Sequence, residues 1–399
     1  MRVLQLCHKP PYPETDGGCL AINQMTKALL SQGCEVTVLS IATPKHPFSA
    51  KDFPKGYLKE TNFKALFIDT RLNVVDAFSN LITQDTYHVS RFFSSDMDQA
   101  IDETFAENTY DVVLCESIFV APYLPSIRRL SQAKIVLRSH NLEFSIWHRL
   151  AKSQPQGLKK AYLKILTRQL KDYEINLLSE IDGLVAINSD ELKHYRRLGF
   201  TGMAVTIPFG VEPQLYQPAN GNADPLSVFH LGSMDWKPNE EGIDWFLHEV
   251  WPIVHSKNPK LTFYLAGRRM PKWLDLIEIK GVSIVGEVPD AKEFIASKNI
   301  MIIPLMSGGG MRVKLIEALA LEKPVVSTPL GAKGVSVANE KTIKLATKPK
   351  DFAEAILALA DDAENAQRMA QEGRELVLNR YDTKKLAVQL HSFLTKLLA

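Results

Sequence analysis

Ser307-Gly308-Gly309-Gly310-Met311-Arg312-Val313-Lys314-Leu315-Ile316-Glu317-Ala318-Leu319-Ala320 stands between the apolar run 299–305 and a second short apolar run at 323–327. The pattern passes from a run to helical spacing and back, so the stretch reads as strand, glycine loop, helix, strand. Gly308, Gly309 and Gly310 can present backbone N–H groups to a bound oxygen without Cβ interference, where the positive end of the following helix dipole lies. Arg312 and Lys314 add fixed positive charge, and Glu317, one turn on, is placed to accept hydrogen bonds from hydroxyls. The implied ligand carries phosphates beside a sugar. An isolated triple glycine is more often a plain strand end with solvated charges beside it, so the rest of the chain has to decide.

Outward from this stretch, short β-rich runs alternate with longer helical patterns. They fall at 3–7, 35–40, 65–68, 111–115, 134–138 and 183–187, and resume at 228–231, 261–266, 282–285, 300–304, 324–327 and 343–346. That rhythm predicts βαβ units with parallel sheets, in two successive Rossmann-like domains. The expected division is 1–213, a turn-rich linker at 214–225, a second domain at 226–382, and a terminal helix at 383–399 that packs back toward the first domain.

Composition agrees with two ordinary globular domains: 399 residues, 45% hydrophobic and 23% charged. A net charge of +2 is too near balance for an extended nucleic-acid footprint. Cys7, Cys19, Cys34 and Cys115 form no C-x-x-C pair and have no suitably spaced histidines, so neither zinc nor a disulfide framework is expected and a reducing cytoplasmic compartment fits. The apolar run at 3–7 is too brief for a secretory core, and no apolar stretch is long enough to span a bilayer.

Ligands of open parallel sheets bind beyond the carboxyl ends of the strands. In the first domain those ends include His8, followed by a proline-rich loop that reaches Gly17-Gly18 at a helix start. A close backbone approach to a ligand and a simple helix entry capped by Asp16 fit that spacing equally. They also include Arg138-Ser139-His140-Asn141, where His140 is the candidate to line a ligand cleft. In the second domain, Gly232 and Ser233 leave the first strand, with Trp236 read as packing, and Val285-Gly286-Glu287-Val288-Pro289-Asp290 ends another.

These landmarks together resemble the retaining GT-B glycosyltransferases, the large group of glycogen-synthase-like and bacterial mannosyl- or glucosyltransferases called family four. The resemblance spans nearly the whole chain: the proline-rich loop to Gly17-Gly18, His140, Ala186-Ile187-Asn188-Ser189, Ile207-Pro208-Phe209-Gly210-Val211-Glu212, the 286–290 turn, and Glu317-Ala318-Leu319-Ala320 leading to Lys323-Pro324-Val325-Val326-Ser327-Thr328. It implies an α/β GT-B architecture with two parallel sheets facing an interdomain cleft, the acceptor on the first domain and a nucleotide-sugar of UDP or GDP type on the second.

By resemblance, His140, Arg312 and Lys314 carry catalysis. The donor lies against Gly17, Gly18, Gly232, Ser233, Gly308, Gly309, Gly310 and Met311, with its ribose on Glu317 and its base near Val288. Two departures stand out. Gly309 occupies the place of the first of the family's two spaced glutamates, and Ser233-Met234 replaces the usual arginine after the first strand of the second domain.

No cofactor and no metal are expected; Asp96-Met97-Asp98 falls in a helical polar stretch and reads as solvent-facing. The expected activity is transfer of a hexose to a glycan or lipid-linked hydroxyl, with retention, in polysaccharide or cell-surface glycan synthesis. A sugar-nucleotide epimerase and a noncatalytic nucleotide-binding partner subunit are the alternatives. The basic amphipathic stretch 158–173, with Lys159, Lys160, Lys164, Arg168 and Lys171, has the chemistry for peripheral contact with an anionic membrane. An ordinary surface helix is the simpler reading. Oligomeric state is not legible.

Overall fold

Val3, Leu4, Leu6 and Cys7 are all fully buried, as a strand covered on both faces requires. This strand, β1 (Arg2–Cys7), lies in the interior of the first of two parallel sheets. The computed structural model describes residues 1–71, 86–218, 223–308 and 312–399.

Around β1 lie β2 (Glu35–Ala42), β3 (Lys64–Phe67), β4 (Val112–Glu116), β5 (Lys134–Arg138), β6 (Gly183–Ala186) and β7 (Met203–Thr206), in the order β3-β2-β1-β4-β5-β6-β7 among the described residues. Every neighbouring pair is parallel. The strand order reverses between β1 and β4. β7 is the one strand of this sheet that the sequence pattern missed; it is a four-residue edge strand with Met203 exposed, so it lacks the apolar run that marks its neighbours.

The second sheet contains β8 (Asp224–Leu231), β9 (Thr262–Ala266), β10 (Val282–Gly286), β11 (Lys298–Ile303), β12 (Val325–Ser327) and β13 (Lys344–Leu345), in the order β10-β9-β8-β11-β12-β13. It too is parallel, and its order reverses between β8 and β11. Each reversal leaves a crevice at the carboxyl ends of the two central strands, where helices depart to opposite faces.

The chain divides into two units, Met1–Phe209 with Leu386–Ala399, and Gly210–Lys385. The turn-rich stretch at 214–225 therefore falls inside the second unit, and residues 219–222 of it lie outside the described residues. The last helix, Thr383–Leu398, buries Leu386, Leu390, Phe393 and Leu394 in one cluster with Val3, Val36, Val112 and Val136 of the first sheet. The opposite face of that sheet is covered by a separate cluster that includes Leu4, Leu6, Val113 and Ile135.

All four cysteines are buried and free. Asp96 and Asp98 sit in the first turn of the helix Ser95–Glu107, with Asp96 exposed. Leu163, Leu166 and Leu170 of the helix Leu158–Leu177 are buried, whereas Lys164, Arg168 and Lys171 are exposed. No helix of the described residues is long and apolar enough to cross a membrane.

Candidate functional site

In the first unit the chemistry gathers at the ends of β1, β4 and β5, three neighbours across the strand-order reversal. Glu116, the last residue of β4, is fully buried among three side chains that compensate it. His140 Nε2 lies 2.7 Å and Arg138 Nη1 3.2 Å from Glu116 Oε2, and Gln5 Nε2 donates to Oε1 at 2.9 Å. Burial alone would push the Glu116 carboxyl up, but the Arg138 charge and the hydrogen bonds from His140 and Gln5 outweigh it and hold it below its ordinary value.

His140 is itself depressed, by burial first, with the Arg138 charge adding to the effect and Glu116 opposing it. A neutral His140 whose Nε2–H donates to Glu116 carries its lone pair on Nδ1. His8 stands edge-on to His140 at 5.3 Å, and its Nδ1 lies 2.8 Å from the Glu116 carbonyl. Ser117, immediately after Glu116, has φ 82°, a strained conformation for a residue with a side chain and one concentrated at functional sites.

Gly17 and Gly18 open the helix Gly17–Ser31, capped by Asp16, whose Oδ1 accepts from the Gly18 and Cys19 amides at 2.9 Å each. Lys9 Nζ bonds the same carboxylate at 2.7 and 2.9 Å, and His46 Nε2 lies 3.0 Å from it. A Cβ on Gly18 would come 2.4 Å from Lys9 Nζ, so the glycine makes room for the ammonium. Asp16, Cys19 and His46 bring their ligand atoms within 4.8 Å of one another, but Lys9 already neutralises the carboxylate, which suits an ion pair better than a metal.

In the second unit the corresponding reversal brings the β8 exit against the glycine loop. Lys314 Nζ donates to the Leu231 carbonyl at 2.7 Å, one residue before Gly232. The Arg312 guanidinium lies over the Trp236 ring at 4.9 Å. Gly308 has φ 104°, and a Cβ there would meet the Trp236 indole at 2.9 Å and Pro238 at 3.1 Å. Ser307 Oγ donates to Glu241 Oε2 at 2.6 Å. The loop is thus fastened to the helix Lys237–Trp245 on both sides of residues 309–311. Gly309, Gly310 and Met311 themselves lie outside the described residues.

Gly232 donates its N–H to the Ala266 carbonyl, and the Asn239 and His230 side chains approach so closely that a Cβ would not fit. Ser233 Oγ donates to Asp235 Oδ1 at 2.5 Å, while its carbonyl accepts from Asn239 Nδ2 at 2.8 Å.

The helix Val313–Ala320 begins at Arg312 with no side-chain cap, unlike the Asp16-capped helix, so its first amides are not served by a carboxylate. Burial lowers Arg312 to about 10 and Lys314 to about 8, the latter with a contribution from the Arg268 charge and against the pull of Glu317. Glu317 is raised by burial, opposed by Tyr216, Lys314 and Lys292. Arg312 and Lys314 thus stand together at the start of this helix, and burial disfavours the charged form of each. Val288 is half-buried beyond β10, and no hydrogen bond of its backbone or side chain ties it to Arg312 or Lys314 among the described residues.

Two residues escaped the sequence reading as site residues, Glu116 and Tyr216, whose hydroxyl donates to Glu317 Oε1 at 2.9 Å, while Trp236, read as packing, does pack, against Gly308 and Arg312. Glu116 had a signal, an acid directly after an unbroken apolar strand. Tyr216 had none, because it acquires its role from a partner far along the chain.

Residues 225–362 match the family model described as Glycosyl transferases group 1. Over 386 residues, covering 94% of this chain and 95% of the relative, the protein is 24% identical to a Klebsiella pneumoniae protein described as an uncharacterized 44.6 kDa protein in cps region. Among solved structures, sucrose-phosphate synthase from Thermosynechococcus elongatus matches with TM-score 0.69 at 16% identity, over 100% of this chain and 99% of that one. The Anabaena protein HepE in complex with UDP and glucose matches with TM-score 0.64 at 15% identity, over 98% and 99%. The fold is therefore the α/β GT-B architecture expected from the sequence, with two units each built on a parallel sheet.

Proposed function

We propose that the protein is a glycosyltransferase that moves a hexose from a nucleoside-diphosphate sugar of UDP or GDP type to a hydroxyl of a glycan or lipid-linked acceptor, in polysaccharide or cell-surface glycan synthesis. The observation that carries this reading is the grouping of Arg312, Lys314 and Glu317 along the first turns of one helix at a strand-order reversal, within the stretch matching the group 1 model. HepE, crystallised with UDP and glucose, lends support to the donor class, and the Klebsiella relative's cps region to the pathway.

In this reading the acceptor oxygen bonds to the anomeric carbon as the bond from that carbon to the diphosphate oxygen breaks. Charge grows on the departing oxygen, and Arg312, Lys314, the loop amides and the helix dipole stabilise it. The acceptor proton passes to the leaving phosphate on the same face, giving retention without a covalent intermediate. Isolation of a glycosyl ester on an enzyme carboxylate would overturn this step. His140, its Nδ1 lone pair fixed by Glu116, is assigned to a hydroxyl of the transferred sugar. Arg312 and Lys314 supply the charge a divalent ion would otherwise bring, so activity is expected to survive EDTA.

The test is nucleoside diphosphate release from UDP- and GDP-hexoses, with and without oligosaccharide or polyprenyl-linked acceptors. Acceptor-dependent release supports transfer. Conversion of the donor sugar without acceptor marks an epimerase, and nucleotide binding with no turnover marks a noncatalytic partner.

The reading places the protein in the cytoplasm, with the exposed face of Lys164, Arg168 and Lys171 beside the half-exposed Ile165 touching the inner membrane leaflet. Co-sedimentation with phosphatidylglycerol vesicles, lost in a Lys164→Glu/Arg168→Glu/Lys171→Glu variant, is the expected result. Equal recovery of both proteins would leave an ordinary surface helix.

A further inference from the structure

Glu317 is a half-buried acid and the one acidic residue of its helix, and the hydrogen bond to its carboxylate comes from outside that helix. The group that does so is Tyr216, in the turn-rich stretch that the sequence marks as a linker. Its hydroxyl reaches Glu317 Oε1 at 2.9 Å across 101 positions of sequence. The tyrosine is buried and held at several points. Its N–H donates to the Pro213 carbonyl, its carbonyl accepts from Arg374 Nη1 at 2.7 Å, and Lys292 Nζ lies 4.6 Å from the centre of its ring. Arg374 also donates to the Ala320 carbonyl at the far end of the Glu317 helix, so one guanidinium ties the Tyr216 backbone to that helix.

We propose that the Tyr216 hydroxyl is the positioning group for Glu317, holding one carboxylate oxygen so that the other faces the ribose 2′- and 3′-hydroxyls of a ribonucleoside diphosphate. This rests on the donor site proposed above and adds a residue to it.

The chemistry favours this arrangement. A carboxylate can accept from both ribose hydroxyls, whereas a protonated carboxyl has lost part of that capacity. Burial raises Glu317 toward the protonated form. The Tyr216 hydrogen bond and the Lys314 and Lys292 charges work the other way, while Glu212 is the further acid facing Tyr216. The Tyr216 hydroxyl therefore fixes the direction of the carboxylate and, with the two lysines, favours its charged form.

Affinities for UDP and GDP, and for their 2′,3′-dideoxy analogues, are measured between pH 5 and 8 by calorimetry on the wild type, Tyr216→Phe and Glu317→Gln. Charged hydrogen bonds to ribose predict that the wild type prefers the ribonucleotide to its dideoxy analogue by roughly tenfold or more at pH 8. Glu317→Gln should reduce that preference several-fold at every pH. Tyr216→Phe should reduce it too, and its remaining preference should fade at a higher pH than in the wild type, because the carboxyl without its donor takes up a proton sooner. Affinity for the dideoxy analogue should be unchanged.

A Tyr216→Phe protein with the wild-type preference and pH profile overturns the proposal, as does one that loses affinity for both nucleotides equally, the mark of a purely structural tyrosine. If the wild type binds no nucleotide, the donor site itself fails and the inference falls with it. If it binds both sugars' nucleotides without preference for ribose, only the Glu317 and Tyr216 assignment fails.

Discussion

Lys314→Ala is expected to abolish most of the thermal stabilisation that the matching nucleoside diphosphate confers. A ligand at ~100 times its dissociation constant stabilises a folded protein by about 2.7 kcal/mol. For a unit of this size that moves the unfolding midpoint by roughly 2–4 °C per kcal/mol. Removing a charge-assisted contact to phosphate should cost about 1.5–3 kcal/mol of affinity. For a loss near the upper end, the same ligand concentration would then stabilise the variant by only ~0.4 kcal/mol. The comparison is made by scanning fluorimetry with UDP, GDP, TDP and ADP. An undiminished shift in Lys314→Ala would remove Lys314 from the donor site.

The same residue sets a pH limit. Burial holds Lys314 at about 8, so in the empty protein its charge is present below that pH and is lost above it. Only the charged form attracts a diphosphate, so the contribution of Lys314 to nucleotide affinity should be full on the acid side of about pH 8 and decline on the alkaline side. Bound phosphate raises the Lys314 value and moves the decline upward in the complex. In Lys314→Arg the decline should disappear, because a guanidinium keeps its proton over this range. A decline that persists in that variant would trace to another group.

Glu116→Ala is expected to cost about 3–5 kcal/mol of stability in the first unit, because it leaves the fully buried Arg138 without its counter-charge. Arg138 Nε and Nη2 are buried without hydrogen-bond partners, so the guanidinium has little else to rely on. Denaturant melts of the wild type, Glu116→Ala and the double variant Glu116→Leu/Arg138→Met separate the roles. Replacing both charges with apolar groups should restore most of the lost stability. It should not restore turnover, since His140 would still lack the carboxylate that fixes its tautomer. A loss below about 1 kcal/mol for Glu116→Ala would show that the pair is not the anchor of this site.

The legibility of these features followed their distance along the chain. The stretch 307–320 disclosed its strand, loop and helix because hydrophobic periodicity is local and glycine's permissiveness belongs to the residue itself. Arg312, Lys314 and Glu317 could be named for the same reason, since they share one loop and two helical turns. His140 was visible as a polar residue at the end of an apolar strand. Gly17 and Gly18 were visible as a helix start, but whether their amides were available was not, and the structure gives those of Gly18 and Cys19 to Asp16. The edge strand Met203–Thr206 went unread because half-exposed edges carry little hydrophobic signal.

The sequence by itself determined two parallel-sheet units, their central strands and the placing of Arg312, Lys314 and Glu317 on one loop and helix, because each of these is written in the spacing of neighbouring residues. Only the tertiary structure decided which side chains hold that chemistry in place. Glu116 meets Arg138 and His140 across adjacent strands. Trp236 meets Arg312 and Gly308 across a strand-order reversal, and Tyr216 meets Glu317 from a turn that has no periodicity of its own. The physical reason is that hydrogen bonds and ion pairs between distant residues depend on the register of buried strands and on the packing of helices over them. No local spacing records that geometry.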